Sequence, residues 1–191
     1  MLLLILLAIP LLGALALFLT GDKPINIPFM TSLIVLLLAI FGLKGVFQGE
    51  ALTYAIGMSG PFIMKFNADA LSVIFVVLSA FLWLVVSIYS PKYMEHEGKA
   101  WSFQLCTVLT LFAVLGIFLA GDLVTMLLFF ELMTISSYFW VIHRWNKEAI
   151  RAGYFYLFFS IVGGLLIALG IVMMGGATEV LPNIGSGMVH L

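Results

Sequence analysis

Apolar residues run in six blocks along the chain, at 2–20, 29–47, 70–89, 103–120, 123–141 and 153–174, separated by stretches that carry glycine, proline, asparagine or charge. At ~1.5 Å rise per helical residue, each block is long enough to cross a hydrocarbon layer of ~30 Å. The pattern therefore predicts an all-α, polytopic membrane protein of about six transmembrane helices in one membrane domain spanning residues 1–191. The breaks are short, except for the stretch from Gln48 to Asp69, which reads as a long loop. The first block has no Lys or Arg before it and no clear small-x-small cleavage site after it, so it reads as a retained helix rather than a signal peptide. The glycine-rich tail from Gly175 to Leu191 is too short for a further domain.

Composition agrees: 64% of the 191 residues are hydrophobic and 9% charged, more apolar surface than a soluble core of this size can hide, so the lipid bilayer is the solvent. A net charge of -1, with no basic stripe or acidic tail, argues against nucleic acid as a partner. Cys106 is the one cysteine, which leaves no intrachain disulfide and no multi-cysteine metal or iron–sulfur site. The histidines and carboxylates have no ligand-like spacing, and neither a nucleotide-binding glycine loop nor a G-x-S-x-G elbow is present. Neither a metal, a cofactor nor a catalytic centre of its own is expected. Basic residues indicate orientation: Lys23, Lys92, Lys99, Arg144, Lys147 and Arg151 fall in the odd-numbered loops, whereas Lys44 and Lys65 fall at the second loop. Basic loops stay in the cytoplasm, so the amino terminus is expected outside a cell membrane.

Glu131 is the ionisable residue that breaks the apolar pattern most deeply, eight residues and so ~12 Å past the start of the fifth block. A carboxyl group near the bilayer midplane costs several kcal/mol, and its default reading is a proton or ion site facing protein or water. The alternative is a protonated glutamate that bonds neighbouring helices. Thr134 and Tyr138 follow at i+3 and i+7 and share its helical face. His143 stands near the end of the same helix beside Arg144, Lys147 and Arg151; interfacial anchoring explains the cluster, and a histidine there is also a candidate proton relay. The candidate proton-translocation set is thus Glu131, Thr134, Tyr138 and His143. Two further stripes, Ser72, Ser79, Trp83 and Ser87 on the third helix and Gly153, Ser160, Gly163, Gly164 and Gly170 on the sixth, read first as helix packing. Asp69 and Asp122 precede their helices and read as amino-terminal caps, with Asp69 also a candidate for lining an entrance.

Several segments together resemble the antiporter-like subunits shared by respiratory complex I, energy-converting membrane-bound hydrogenases and Mrp-type cation/proton antiporters. Asn67-Ala68-Asp69-Ala70-Leu71-Ser72 is similar to the family's entry into helix three, and Ser87-Ile88-Tyr89-Ser90 with Tyr93-Met94 to its close. Gly121-Asp122-Leu123, leading to Phe129-Phe130-Glu131-Leu132-Met133 and Ser136-Ser137-Tyr138, resembles the fifth helix, whose glutamate is the family's key proton-channel acid. Tyr154-Phe155-Tyr156 and Ser160-Ile161-Val162-Gly163-Gly164 resemble the sixth helix. The resemblance covers most of residues 60–175 and implies inverted repeats with broken helices near the midplane. Phe130 stands where many members have tryptophan, and Phe155 where many carry lysine. The family's broken helix, whose lysine pairs with the glutamate, has no counterpart in these residues.

The expected function is a short or split antiporter-like subunit that contributes a proton or cation half-channel to a redox-driven ion-pumping complex. Its expected partners are other membrane subunits, including one that supplies the missing broken helix and lysine. The alternatives are a structural or assembly subunit with a vestigial channel and a small self-associating transporter.

Overall fold

The computed structural model describes residues 1–21, 26–48, 52–57, 63–95 and 100–174. Lys23, His96, Lys99, His190 and the tail at 175–191 lie outside the described residues. Six helices follow in order: α1 Leu2–Thr20, α2 Ile27–Gly42, α3 Ala70–Met94, α4 Ala100–Phe118, α5 Leu123–Val141 and α6 Lys147–Met173. All six are long and apolar enough to cross a membrane. The protein is therefore a multi-pass membrane protein built on helices, with α1 and α5 bounded as the apolar blocks predict.

Four helices start on a side-chain cap that takes up an otherwise unpaired amide. Asn26 accepts from Phe29 N at 3.3 Å, Asp69 from Ser72 N at 2.7 Å, Asp122 from Thr125 N at 2.7 Å and Asn146 from Ala149 N at 2.7 Å. Both aspartates are thus caps, as their position before an apolar run predicts. The Asn146 cap starts α6 six residues before its apolar block, because hydropathy marks only the lipid-facing part while the helix continues into the interface with Lys147, Glu148 and Arg151. The α2 block, expected to reach residue 47, leaves the α-helix at Gly42 and tightens into a 3-10 turn, Lys44–Gln48.

α3 runs to Met94, five residues beyond its predicted end and through Pro91. Proline has no N–H to offer the carbonyl four residues earlier, here that of Ser87. The side chain of Asn26 supplies the missing donor, with Nδ2 3.2 Å from Ser87 O. One asparagine thereby caps α2 through its oxygen and repairs α3 through its nitrogen.

The expected loop between α2 and α3 contains an antiparallel hairpin, β1 Leu52–Ile56 paired with β2 Met64–Ala68 in the register Leu52↔Ala68 to Ile56↔Met64. On its other edge β2 docks onto the α4–α5 connection. Asn67 N donates to Leu119 O at 2.9 Å, Gly121 N to Lys65 O at 2.7 Å, and Lys65 N to Thr125 Oγ1 at 3.1 Å. A side chain at Gly121 would crowd the Lys65 backbone, at 3.2 Å from its carbonyl carbon, so glycine permits the approach. Phe66 and Ala68 of β2 turn inward and are buried.

α4 is the hub, packing on α1, α2, α3 and α5. Leu6, Val35, Val76, Leu111 and Leu115 are fully buried where α1 to α4 meet. The serine stripe of α3 serves this packing: Ser87 Oγ lies 3.2 Å from Ser32 Oγ of α2, and Trp83 Nε1 donates to Thr107 O of α4 at 2.8 Å. α6 rests mainly on α5 and is the least covered helix, with 11% of its apolar window buried against 44% for α4.

Candidate functional site

The orientation of Glu131 is set two residues earlier. Phe129 is buried against α4, where its ring lies over Gly116 so closely that a Cβ there would overlap it. Phe112 and Phe66 hold the same ring edge-on, at centroid distances of 5.4 and 5.8 Å. With ~100° of turn per helical residue, fixing Phe129 toward α4 turns residue 131 to the far side of α5. There the Glu131 carboxyl lies on the backbone of α6 at Gly164.

Two glycines of α6 form the floor beneath this face. At Gly164 a Cβ would overlap Glu131 Oε1 and approach its Cδ to 3.2 Å. At Gly153, eleven residues nearer the start of α6, a Cβ would come within 2.9 Å of Tyr138 Cε2 and overlap Ile142. Gly163 and Gly170 differ, because a Cβ at either meets nothing within 4 Å. The glycines of the α6 seam are therefore divided: Gly153 and Gly164 receive α5, whereas Gly163 and Gly170 open outward. Glu131 is half-buried and has no hydrogen bond or ion pair to a described residue.

Thr134, one turn on from Glu131, is 2% exposed and its Oγ1 has no hydrogen-bond partner among the described residues. Tyr138 lies against α6 as described. His143 is elsewhere: its ring meets Phe103 of α4 edge-on at 5.7 Å, and its Nδ1 lies 3.1 Å from Trp140 O. Trp140 stacks on Trp83 at 6.5 Å, so His143 belongs to an aromatic cluster of α3, α4 and α5. Twelve residues separate it from Glu131, or about 18 Å along the axis at helical rise, too far for direct proton exchange. The structure thus gathers Glu131, Thr134 and Tyr138 on one side of α5 and sets His143 apart.

Sequence reasoning missed Gly116 and Gly164 as determinants of this arrangement. The available signal was helical phase: Phe129 and Glu131 lie ~200° apart on α5, so a packed aromatic at one position directs the other away. Phe155, where the resemblance implied a possible lysine, is exposed, with the Arg151 guanidinium 5.9 Å from its ring centroid. Among the described residues, no three His, Cys, Asp or Glu side chains gather into a metal-holding group.

Comparison with known proteins gives consistent matches. Residues 59–104 match the family described as NADH-ubiquinone oxidoreductase (complex I), chain 5 N-terminus, and residues 120–187 the family described as NADH:quinone oxidoreductase/Mrp antiporter, TM. Among curated relatives, a Na(+)/H(+) antiporter subunit of Bacillus subtilis (strain 168) is 30% identical over 177 residues, covering 91% of this chain and 36% of the relative. A putative antiporter subunit mnhD2 of Staphylococcus aureus (strain JH9) is 30% identical over 115 residues, 60% of this chain and 23% of the relative. The chain thus spans little more than a third of the longer match. Among solved structures, a chain of the membrane-bound sulfane sulfur reductase, an archaeal respiratory membrane complex, has the same fold, with a TM-score of 0.80 over 92% of this chain and 37% of that one at 22% identity. The chain belongs to the antiporter-like membrane subunit family that includes complex I and Mrp antiporter subunits.

Proposed function

We propose that this chain contributes the Glu131 side of a proton or cation path to a redox-driven, multi-subunit ion-pumping membrane complex. The observation that carries the reading is a mid-span carboxyl held against a glycine of α6, with no cation from the described residues beside it. Maintaining such a group in the hydrocarbon region costs several kcal/mol, which a structural helix contact alone does not require. The Thr134 hydroxyl one turn away and the Tyr138 phenol two turns away can extend a hydrogen-bonded route along α5. His143 enters as a rim residue, its buried Nε2 unpaired among the described residues. Other membrane subunits supply the rest of the path, including the cationic partner of Glu131.

Replacing Glu131 with Gln retains hydrogen bonding and removes the titratable proton. Glu131→Gln is expected to assemble normally and to reduce ion translocation by the complex in sealed vesicles. Full translocation by the assembled variant would instead support the structural-subunit reading, which the exposed Phe155 in α6 favours.

The orientation follows from charge. Lys92, Arg144, Lys147 and Arg151 lie at the ends of α3, α5 and α6 opposite the hairpin, whereas Lys44 and Lys65 lie on the hairpin side. The first group faces the cytoplasm and the hairpin faces outward, with the amino terminus, from a cell membrane. A reporter fused after Arg151 should read as cytoplasmic and one after Met174 as external; the reverse result overturns this orientation.

A further inference from the structure

We infer that Gly164 is a positioning residue for Glu131: its missing side chain is what lets the carboxyl lie in the α5–α6 groove. The inference rests on the reading of Glu131 as a proton or cation site. A Cβ at Gly164 would overlap Oε1 and stand 3.2 Å from Cδ, while its other near neighbour, Phe130 Cε1, is at an ordinary 3.8 Å. The conflict is therefore with the carboxyl head and not with backbone or packed core. A methyl group at 164 would swing the flexible end of Glu131 aside and leave the helices where they are.

The adjacent residue supplies the control. Gly163 occupies the same helix one position earlier, and a Cβ there meets nothing within 4 Å. Alanine forms helix better than glycine at either position, so intrinsic propensity favours both substitutions alike. Gly153 supplies a second control, because a methyl there would press on Ile142 and Tyr138 and disturb the α5–α6 contact without touching the carboxyl.

The experiment compares Gly164→Ala, Gly163→Ala and Gly153→Ala in the assembled complex in sealed vesicles, with translocation expressed per intact complex. Gly164→Ala is expected to retain its thermal midpoint and lose about tenfold or more in translocation, since displacement of a reacting group by ~1 Å costs on that order. Gly163→Ala should stay within about twofold of the parent, as expected for a surface change with no new contact. Glu131→Asp shortens the side chain by one methylene, and in the Gly164→Ala background it should recover translocation relative to Gly164→Ala alone. In infrared difference spectra, the carboxyl band that Glu131→Gln removes should shift in Gly164→Ala and stay unmoved in Gly163→Ala and Gly153→Ala. A Gly164→Ala protein with an unshifted band and translocation like that of Gly163→Ala overturns the inference. Failure of the underlying reading is distinguishable, because it shows as full translocation by Glu131→Gln whatever the band does.

Discussion

Thr134 carries a buried cost that, among the described side chains of α5, it shares with the Trp140 indole. Its hydroxyl is sealed from solvent without a hydrogen-bond partner among the described residues, although Ser136, two residues on, bonds back to Leu132 O at 3.0 Å. Leaving a buried hydroxyl unpaired costs about 1–3 kcal/mol, and an apolar replacement of the same shape removes that cost. Thr134→Val is therefore expected to raise the thermal midpoint of the purified protein slightly, by up to about 1 kcal/mol of stability. In the assembled complex it should slow ion translocation, because valine cannot pass a proton or orient water beside Glu131. The two readouts have opposite signs. A variant that is less stable and fully active would show that Thr134 serves packing alone. Glu131 itself was legible in the sequence, since depth along an apolar run needs only the helical rise. Its seat on Gly164 was not, because a single run does not say which helix packs against which of its faces.

Between elements, side chains settle what hydropathy leaves open. The apolar blocks located all six helices, but α3 was expected to end at Tyr89, before Pro91, and α6 to begin at Gly153. Both extend further because a polar group on another segment, or a local cap, satisfies the backbone. The β-hairpin was missed although Met64-Lys65-Phe66-Asn67-Ala68 alternates apolar and polar residues, the period of a half-buried strand. What stabilises it is long-range, the edge it shares with Leu119 and Gly121, and so has no local signature. The repair of α3 makes a specific prediction. Asn26→Asp keeps the capping oxygen but loses the amide donor to Ser87 O, at an expected cost of about 1 kcal/mol. Pro91→Ala restores an N–H four residues beyond Ser87, so in that background Asn26→Asp should cost no more than a few tenths of a kcal/mol. Equal costs in the two backgrounds, measured by thermal unfolding in detergent, would show that Asn26 acts only as the α2 cap.

At the scale of the molecule, burial is uneven. α1 to α4 enclose a shared core, whereas α6 meets mainly α5 and leaves Phe158, Phe159, Leu165 and Leu166 more than 60% exposed. Lipid can cover such a helix, so exposure of apolar residues alone names no partner. The discriminating residue is Glu131. It lies beside the exposed α5 stripe of Leu128, Leu132, Ile135 and Phe139, and a half-buried carboxyl at mid-span needs protein or water rather than acyl chains. Among the described residues, no Lys or Arg lies near the middle of a membrane helix to answer it. A second membrane subunit seated against α5 and α6 would cover the stripe, dry the site and bring the missing cation. Extraction in mild detergent followed by intact-mass measurement should therefore recover this chain bound to another membrane protein. Removing that protein should expose Glu131 to a water-soluble carbodiimide, which reacts with accessible carboxyl groups, while the intact complex protects it. If the chain instead purifies alone or only with copies of itself and translocates ions after reconstitution, the site is complete without a different subunit and the half-channel reading fails.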